Sequence, residues 1–295
     1  MAAKLPHTAM NPEEALALIP DLRSPVVGSV LATGATSSSF KVTDGDESYV
    51  LRLAFTDAPA ELPGVVAEFA VLEQAAAAGL TPPPVFADAE RGVLLRQFVP
   101  GQVLPLKYLR DQYWLSELGR LFAKLHSIET GVPEWDPVAA VGAYSAELAD
   151  TEFGERTAQI AEQAAATLSG LSPLASSYLC HNDPVHSNML VTESGKLQLI
   201  DWEFAAAGDP CFDLAVIVRH HNLAAEHENA LITAWVAASR DSGGEPLDKD
   251  AVHTRVVVWK RYYQALLTLW LLVLRRRGSL DSLQEASLKV LLTAF

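Results

Sequence analysis

Apolar positions along the chain change their spacing near Pro100–Gly101, from short alternating runs to a helical period. Ahead of that point, Val26–Leu31, Phe40–Thr43 and Tyr49–Phe55 are runs rich in β-branched and aromatic residues. Asp44-Gly45-Asp46 is a turn signal between the second and third. The runs predict three strands. Val65, Phe69 and Leu72 then recur at helical spacing as far as Gly79, which predicts a helix over 64–79, closed off by Pro82-Pro83-Pro84. Gly92–Val99 predicts one more strand pair. Before all of these, Asn11 suits an N-cap, Pro12 a first helical turn, and Glu13–Glu14 the positive end of a short helix.

Beyond the Pro-Gly joint, Leu118, Leu121, Phe122 and Leu125 form a helical stripe, and 142–168 reads as one Ala- and Glu-rich helical stretch. Residues 189–200 read as strand, turn, strand, with the turn at Ser194–Gly195. Helical patterning then runs to the C-terminus. The expected fold class is α+β, with a leader over 1–24, an antiparallel-sheet lobe over 25–99, and a mainly helical lobe over 100–295.

Composition narrows the functions available. Of 295 residues, 49% are hydrophobic and 20% charged, as in an ordinary globular protein, and the formal net charge of -14 argues against a nucleic-acid partner. The two cysteines, Cys180 and Cys211, lack the spacing of a metal site or disulfide framework and read as reduced core thiols of a cytoplasmic protein. No long apolar run follows the first basic residue, so no signal peptide is expected. The most apolar stretch, Ala265–Leu274, is too short to span a bilayer as a helix and reads as buried.

The chemistry concentrates in His181-Asn182-Asp183, Asn188 and Asp201. Asp183 and Asn188 stand five apart on a predicted loop. The hairpin that follows has Asn188 before its first strand and Asp201 after its second, so its two ends return side by side. Phosphoryl transfer needs an oriented carboxylate for the attacking hydroxyl, which Asp183 can supply. It also needs hard oxygen ligands for a divalent metal, which an Asn carbonyl and an Asp carboxylate can supply.

His181-x-Asp183-x-x-x-x-Asn188 matches the catalytic-loop signature of the protein-kinase-like fold. With Leu199-Ile-Asp201-Trp-Glu203, Gly208-Asp-Pro and Asp213-Leu-Ala, the run resembles the choline/ethanolamine kinase and aminoglycoside phosphotransferase superfamily. The resemblance extends over about 28–275. It implies a bilobal protein-kinase-like fold that uses ATP and Mg2+, with a nucleotide-binding first lobe and a catalytic, substrate-binding second lobe. It makes Asp183 the catalytic base, Asn188 and Asp201 the magnesium ligands, and Asp213 a brace for the catalytic loop, with His181 supporting it. Gly34 and Ser37 fall in the phosphate-covering loop, which has one glycine only. Arg52 takes the phosphate-binding position and Glu68 would pair with it. The backbone of Gln97, Phe98 and Val99 resembles the linker that contacts adenine.

For the acceptor, the resemblance implies a small and cationic molecule, choline or ethanolamine or a related amino alcohol, with thiamine, an aminoglycoside or a sugar as the alternatives. Glu203, two residues after Asp201, and Trp270, among the late aromatics Trp259, Tyr262 and Tyr263, are the expected substrate contacts. A catalytically inactive nucleotide-binding protein is the remaining alternative, though Asp183, Asn188 and Asp201 are all present. A protein kinase is disfavoured: no Ala-Pro-Glu segment end appears, and Asp201 precedes Trp-Glu rather than Phe-Gly. His126, His186 and the pair His220–His221 read as structural.

Overall fold

The computed structural model of the chain describes residues 10–34, 36–55, 64–174, 177–241 and 248–295. The first nine residues of the expected leader and the side chain of Val65 lie outside the described residues. The chain forms two compact units: 1–103 with 188–205, and 104–187 with 206–295.

The first unit opens with α1 (Pro12–Leu16), whose N-cap Asn11 forms a capping box with Glu14. The strands β1 (Val26–Thr33), β2 (Ser37–Asp44), β3 (Glu47–Ala54), β4 (Pro84–Asp88) and β5 (Val93–Gln97) make one antiparallel sheet in the order β1-β2-β3-β5-β4. Helix α2 (Gly64–Ala77) connects β3 to β4. Leu51 and Leu53 join Ala15, Leu16 and Ile19 of the leader, with Val42, Val93 and Leu95, in one buried cluster. Successive strand side chains point to opposite faces. Arg52 therefore lies on the other side of the sheet from Leu51 and Leu53, where Glu68 of α2 meets it.

A second sheet of this unit joins β6 (Gly101–Val103), β8 (Met189–Thr192) and β9 (Leu197–Leu199) in the order β6-β8-β9. It is tied to the end of α2 by Leu199 N–H to the Leu80 carbonyl at 2.7 Å and by the buried Trp202 indole to Thr81 Oγ1 at 3.1 Å.

The second unit is mainly helical: α3 (Gln112–Leu125), α4 (Pro137–Glu147), α5 (Gly154–Leu168), α6 (Pro210–His220), α7 (Ala225–Asp241), α8 (Lys249–Arg276) and α9 (Ser282–Leu291). Between α5 and α6, β7 (Tyr178–Cys180) pairs antiparallel with β10 (Ala206–Gly208). Leu118, Phe122 and Leu125 of the expected stripe are buried along α3, together with Leu115, while Leu121 is half-buried. No described helix is long and apolar enough to cross a membrane.

Two local expectations are corrected. The stretch over 142–168 is not one helix but the α4–α5 pair. A Cβ at Gly154 would stand 2.3 Å from the Ala149 carbonyl oxygen, so the turn closes on itself there. The strand pair near 92–99 begins earlier, because Pro84 opens β4 rather than ending the unit. β4 is an edge strand, and a proline is tolerated at the first residue of an edge.

Candidate active site

The loop after β7 holds the expected base, and the helix behind it fixes that loop. Asp213 sits in the first turn of α6, whose N-cap is Asp209, and is fully buried. Its Oδ2 accepts the His181 N–H at 2.9 Å and its Oδ1 the Asn182 N–H at 2.7 Å. Two backbone donors are thereby held immediately ahead of Asp183. Asn182 has φ 64°, a left-handed conformation that asparagine tolerates better than most residues. The Asp183 N–H is directed at His181 Nδ1, 3.4 Å away, and the Val185 N–H donates to the Asp183 carbonyl at 2.9 Å.

Asp213 is itself held. His126 Nε2 lies 3.0 Å from Oδ2, and the Trp235 Nε1–H donates to His126 Nδ1 at 2.9 Å. Because Nδ1 accepts, the proton sits on Nε2 and points at the carboxylate. This chain of Trp235, His126 and Asp213 is buried throughout. It depends on the close approach of α3 and α7: a Cβ at Gly119 would lie 2.6 Å from Ala234 Cβ and 2.8 Å from Trp235 N. His126, Cys180 and Asp213 bring three metal-capable atoms within 4.8 Å. The histidine and carboxylate of that set are already joined by a hydrogen bond.

In the first unit the β8–β9 hairpin delivers the two expected metal ligands. Met189 pairs with Leu199, and the Ile200 N–H donates to the Asn188 carbonyl at 2.9 Å, so Asn188 and Asp201 flank the two open ends of one hairpin. Asp201 has φ 64°. Strained backbone of this kind clusters at functional positions.

Around Asp201 lies a buried ionic cluster. Arg52 binds Glu68 through one terminal nitrogen and Glu203 through the other, the latter at 2.8 Å. The Thr36 hydroxyl contacts both Glu203 oxygens, at 2.7 and 2.8 Å. Arg96 adds a second guanidinium, whose charge acts on Asp201 and Glu68. Burial pushes the Glu203 carboxyl up, Asp201's charge adds to that, and Arg52 opposes it. An oxygen-only ligand pair, the Asn188 amide and the Asp201 carboxylate, fits Mg2+, which takes one or two carboxylate ligands and completes its shell with water and phosphate.

The structure thus joins Arg52 with Glu68, as expected, and adds Thr36 and Arg96. It draws Glu203 into the same cluster, so the carboxylate expected at the acceptor is committed to Arg52 and Thr36. Ser37 is buried at the start of β2, and the Gly34 N–H donates to its carbonyl at 2.9 Å. In the linker, the Gln97 N–H turns to the Pro83 carbonyl and the Phe98 N–H to the Ser48 carbonyl.

The late aromatics are mostly core. Trp259, Tyr262 and Tyr263 are buried, with their polar atoms on Asp209, the Pro137 carbonyl and His220. Trp270 is half-buried, with its ring 5.5 Å from that of Tyr144.

Sequence reasoning missed the loop-holding roles of His126 and Trp235, and the parts of Thr36 and Arg96. The sequence carried little sign of them. Thr36 stands beside the recognised loop, but the others depend on contacts between residues far apart in the chain.

The chain belongs to the Phosphotransferase enzyme family, whose model matches residues 27–248. It is 29% identical over 116 residues to Protein LicA of Haemophilus influenzae, a match covering 39% of this chain and 42% of that protein. The chain thus matches less than half the length of that curated relative. The fold is shared with the choline kinase LicA from Streptococcus pneumoniae, with a TM-score of 0.75, 17% identity, and 95% and 96% of the two chains covered. It is shared as well with an amicoumacin kinase in complex with AMP-PNP and Ca2+, with a TM-score of 0.69, 16% identity, and 96% and 92% covered. The protein is thus a member of a phosphotransferase family, and its fold is that of these kinase structures.

Proposed function

We propose that this kinase transfers the γ-phosphoryl group of ATP to the hydroxyl of a small cationic amino alcohol, with choline and ethanolamine as the leading acceptors. The observation that carries the reading is the catalytic segment. It presents Asp183 on a loop pinned by a buried carboxylate, and it continues into a hairpin whose ends carry Asn188 and Asp201. Relatedness to LicA supports the acceptor class.

In this reading Asp183 accepts the proton of the acceptor hydroxyl as its oxygen bonds to the γ-phosphorus. The bond from that phosphorus to the β,γ-bridging oxygen breaks, and ADP leaves. Asn188 and Asp201 would hold Mg2+, which neutralises phosphate charge. Arg52, oriented by Glu68 and Glu203, faces the nucleotide phosphates, and two buried carboxylates fix its planar fork. Gly34 and Ser37 line the phosphate side. Because the N–H groups of Gln97 and Phe98 serve Pro83 and Ser48, adenine is read by their carbonyls and by Val99. Trp270, beside Tyr144, offers an aromatic face to the acceptor cation, a contact that contributes about 0.5–2 kcal/mol. Glu203 serves the acceptor only indirectly, through Arg52.

The test is phosphate transfer from Mg-ATP to choline, ethanolamine and the neutral isostere of choline in which carbon replaces nitrogen, with aminoglycosides, thiamine and sugars alongside. The expected result is a kcat/KM for choline or ethanolamine about two- to thirtyfold above that of the neutral isostere, the ratio to which about 0.5–2 kcal/mol corresponds. Equal use of the isostere, or preference for an antibiotic, thiamine or a sugar, overturns the acceptor assignment.

A further inference from the structure

Helix α6 holds the catalytic loop at two places. Asp213, in its first turn, takes the His181 and Asn182 N–H groups just ahead of Asp183. Eight residues on, about 12 Å along a helix axis, His221 caps the same helix and takes the His186 N–H at 3.0 Å, just behind Asp183. The His221 ring is oriented by a second bond, because its Nδ1 lies 2.8 Å from the Ile217 carbonyl oxygen. A carbonyl can only accept, so the proton is on Nδ1 and the Nε2 lone pair faces the His186 N–H. Both ring nitrogens are used, and the residue is buried.

The neighbours reinforce this placement. The His186 ring stands edge-on to His221, with centroids 5.6 Å apart, and the His220 ring packs on it at 5.0 Å. His220 is held by the Tyr263 hydroxyl at 2.7 Å. Behind Asp183, Pro184 has no N–H to anchor, and His186 opens a short 3-10 turn, His186–Asn188, whose first N–H needs an outside acceptor.

We propose that His221 is a positioning residue for phosphoryl transfer: by holding the His186 N–H it fixes the chain leaving Asp183, as Asp213 fixes the chain entering it. The inference rests on the reading of Asp183 as the base. A displacement of about 1 Å at a reacting group can cost on the order of 10²-fold in rate, so an anchor on each side of the base has kinetic weight.

The experiment compares the wild type with His221→Phe, which keeps the ring and loses the acceptor, and with His221→Gln, whose amide oxygen can reach the place of Nε2. NMR-detected amide exchange should show the His186 N–H exchanging about tenfold faster or more in the Phe variant and recovering in the Gln variant. The His181 and Asn182 amides should stay as in the wild type. With choline and Mg-ATP as substrates, kcat should fall about tenfold or more in the Phe variant, KM for Mg-ATP should stay within about twofold, and Gln should restore most of the loss. The proposal is overturned by unchanged His186 exchange, by equal acceleration at His181 and Asn182, by an unchanged kcat, or by a Gln variant as impaired as Phe. A wild type that leaves choline untouched undoes only the acceptor assignment, since the exchange comparison needs no acceptor.

Discussion

Asp183 and Asp213 belong to one catalytic segment, yet their surroundings set them to different tasks. Asp213 is fully buried and accepts from two backbone N–H groups and the His126 ring, so its charge is spent on structure. Asp183 is half-buried, as the proposed base must be to meet an acceptor. Asp183→Asn keeps the shape but loses the base. It should lower kcat by about 10²–10⁴ while Mg-ATP still binds and the unfolding midpoint barely moves. Asp213→Ala strands three donors, two of them on the buried His181 and His126, and should destabilise the fold by about 3–5 kcal/mol, read by urea denaturation. If Asp183→Asn turns over normally, or if Asp213→Ala costs less than about 1 kcal/mol, the two roles have been assigned wrongly.

At the scale of elements, the close approach of α3 and α7 sets up the brace. Gly119 is the residue that permits it. Gly119→Val would drive a branched side chain into Ala234 and the Trp235 backbone. The expected cost is about 1–3 kcal/mol or more, with lost activity as Trp235 is displaced from His126. A variant as stable and active as the wild type would show that the helices have room to separate. The local elements were readable from the sequence where one pattern decides them. The β8–β9 hairpin followed from two apolar runs about a Ser-Gly turn, and it carried Asn188 and Asp201 with it. The Arg52–Glu68 pair was legible only through the family resemblance, since a charge in an apolar strand by itself reads as an exposed edge. What joins distant segments was not readable. Glu203 lies 151 residues from Arg52, and Trp235 lies 109 from His126. No periodicity encodes such contacts, so Glu203 was expected at the acceptor. The aromatics of α8 could not be sorted from the sequence for a related reason: helical spacing shows that they share faces, not which faces the core takes. Trp259, Tyr262 and Tyr263 went to the core.

For the whole molecule, the formal charge of -14 and a pI near 4.9 mean that mild acid first relieves charge repulsion and so favours the compact state. His221 works the other way. Burial is the main cause that lowers its pKa, aided by the positive or partly positive neighbours His220, His186 and Arg110 and opposed by the Ile217 carbonyl, to about 4 from an ordinary value of 6.5. Between those values the unfolded chain binds a proton there and the native state does not. The contribution is therefore complete above about pH 6.5 and is lost as pH falls towards about 4, at roughly 1.4 kcal/mol per unit. Glu203, whose folded carboxyl is raised, has the opposite slope, and His220, lowered to about 4 chiefly by burial, has the same slope as His221, so the wild-type curve alone mixes all three. Subtracting the curve of His221→Gln isolates the histidine. From pH 7 to 5 the wild type should lose about 2 kcal/mol relative to that variant, a large share of a stability of about 5–15 kcal/mol. Tryptophan fluorescence in urea suits the measurement, because five of the six tryptophans, all but Trp202, lie in the unit that contains His221. Parallel curves for the two proteins across that range would mean that His221 is protonated in the folded state. The bond from the His186 N–H to its Nε2 would then be lost below about pH 6.5 instead of persisting towards pH 4.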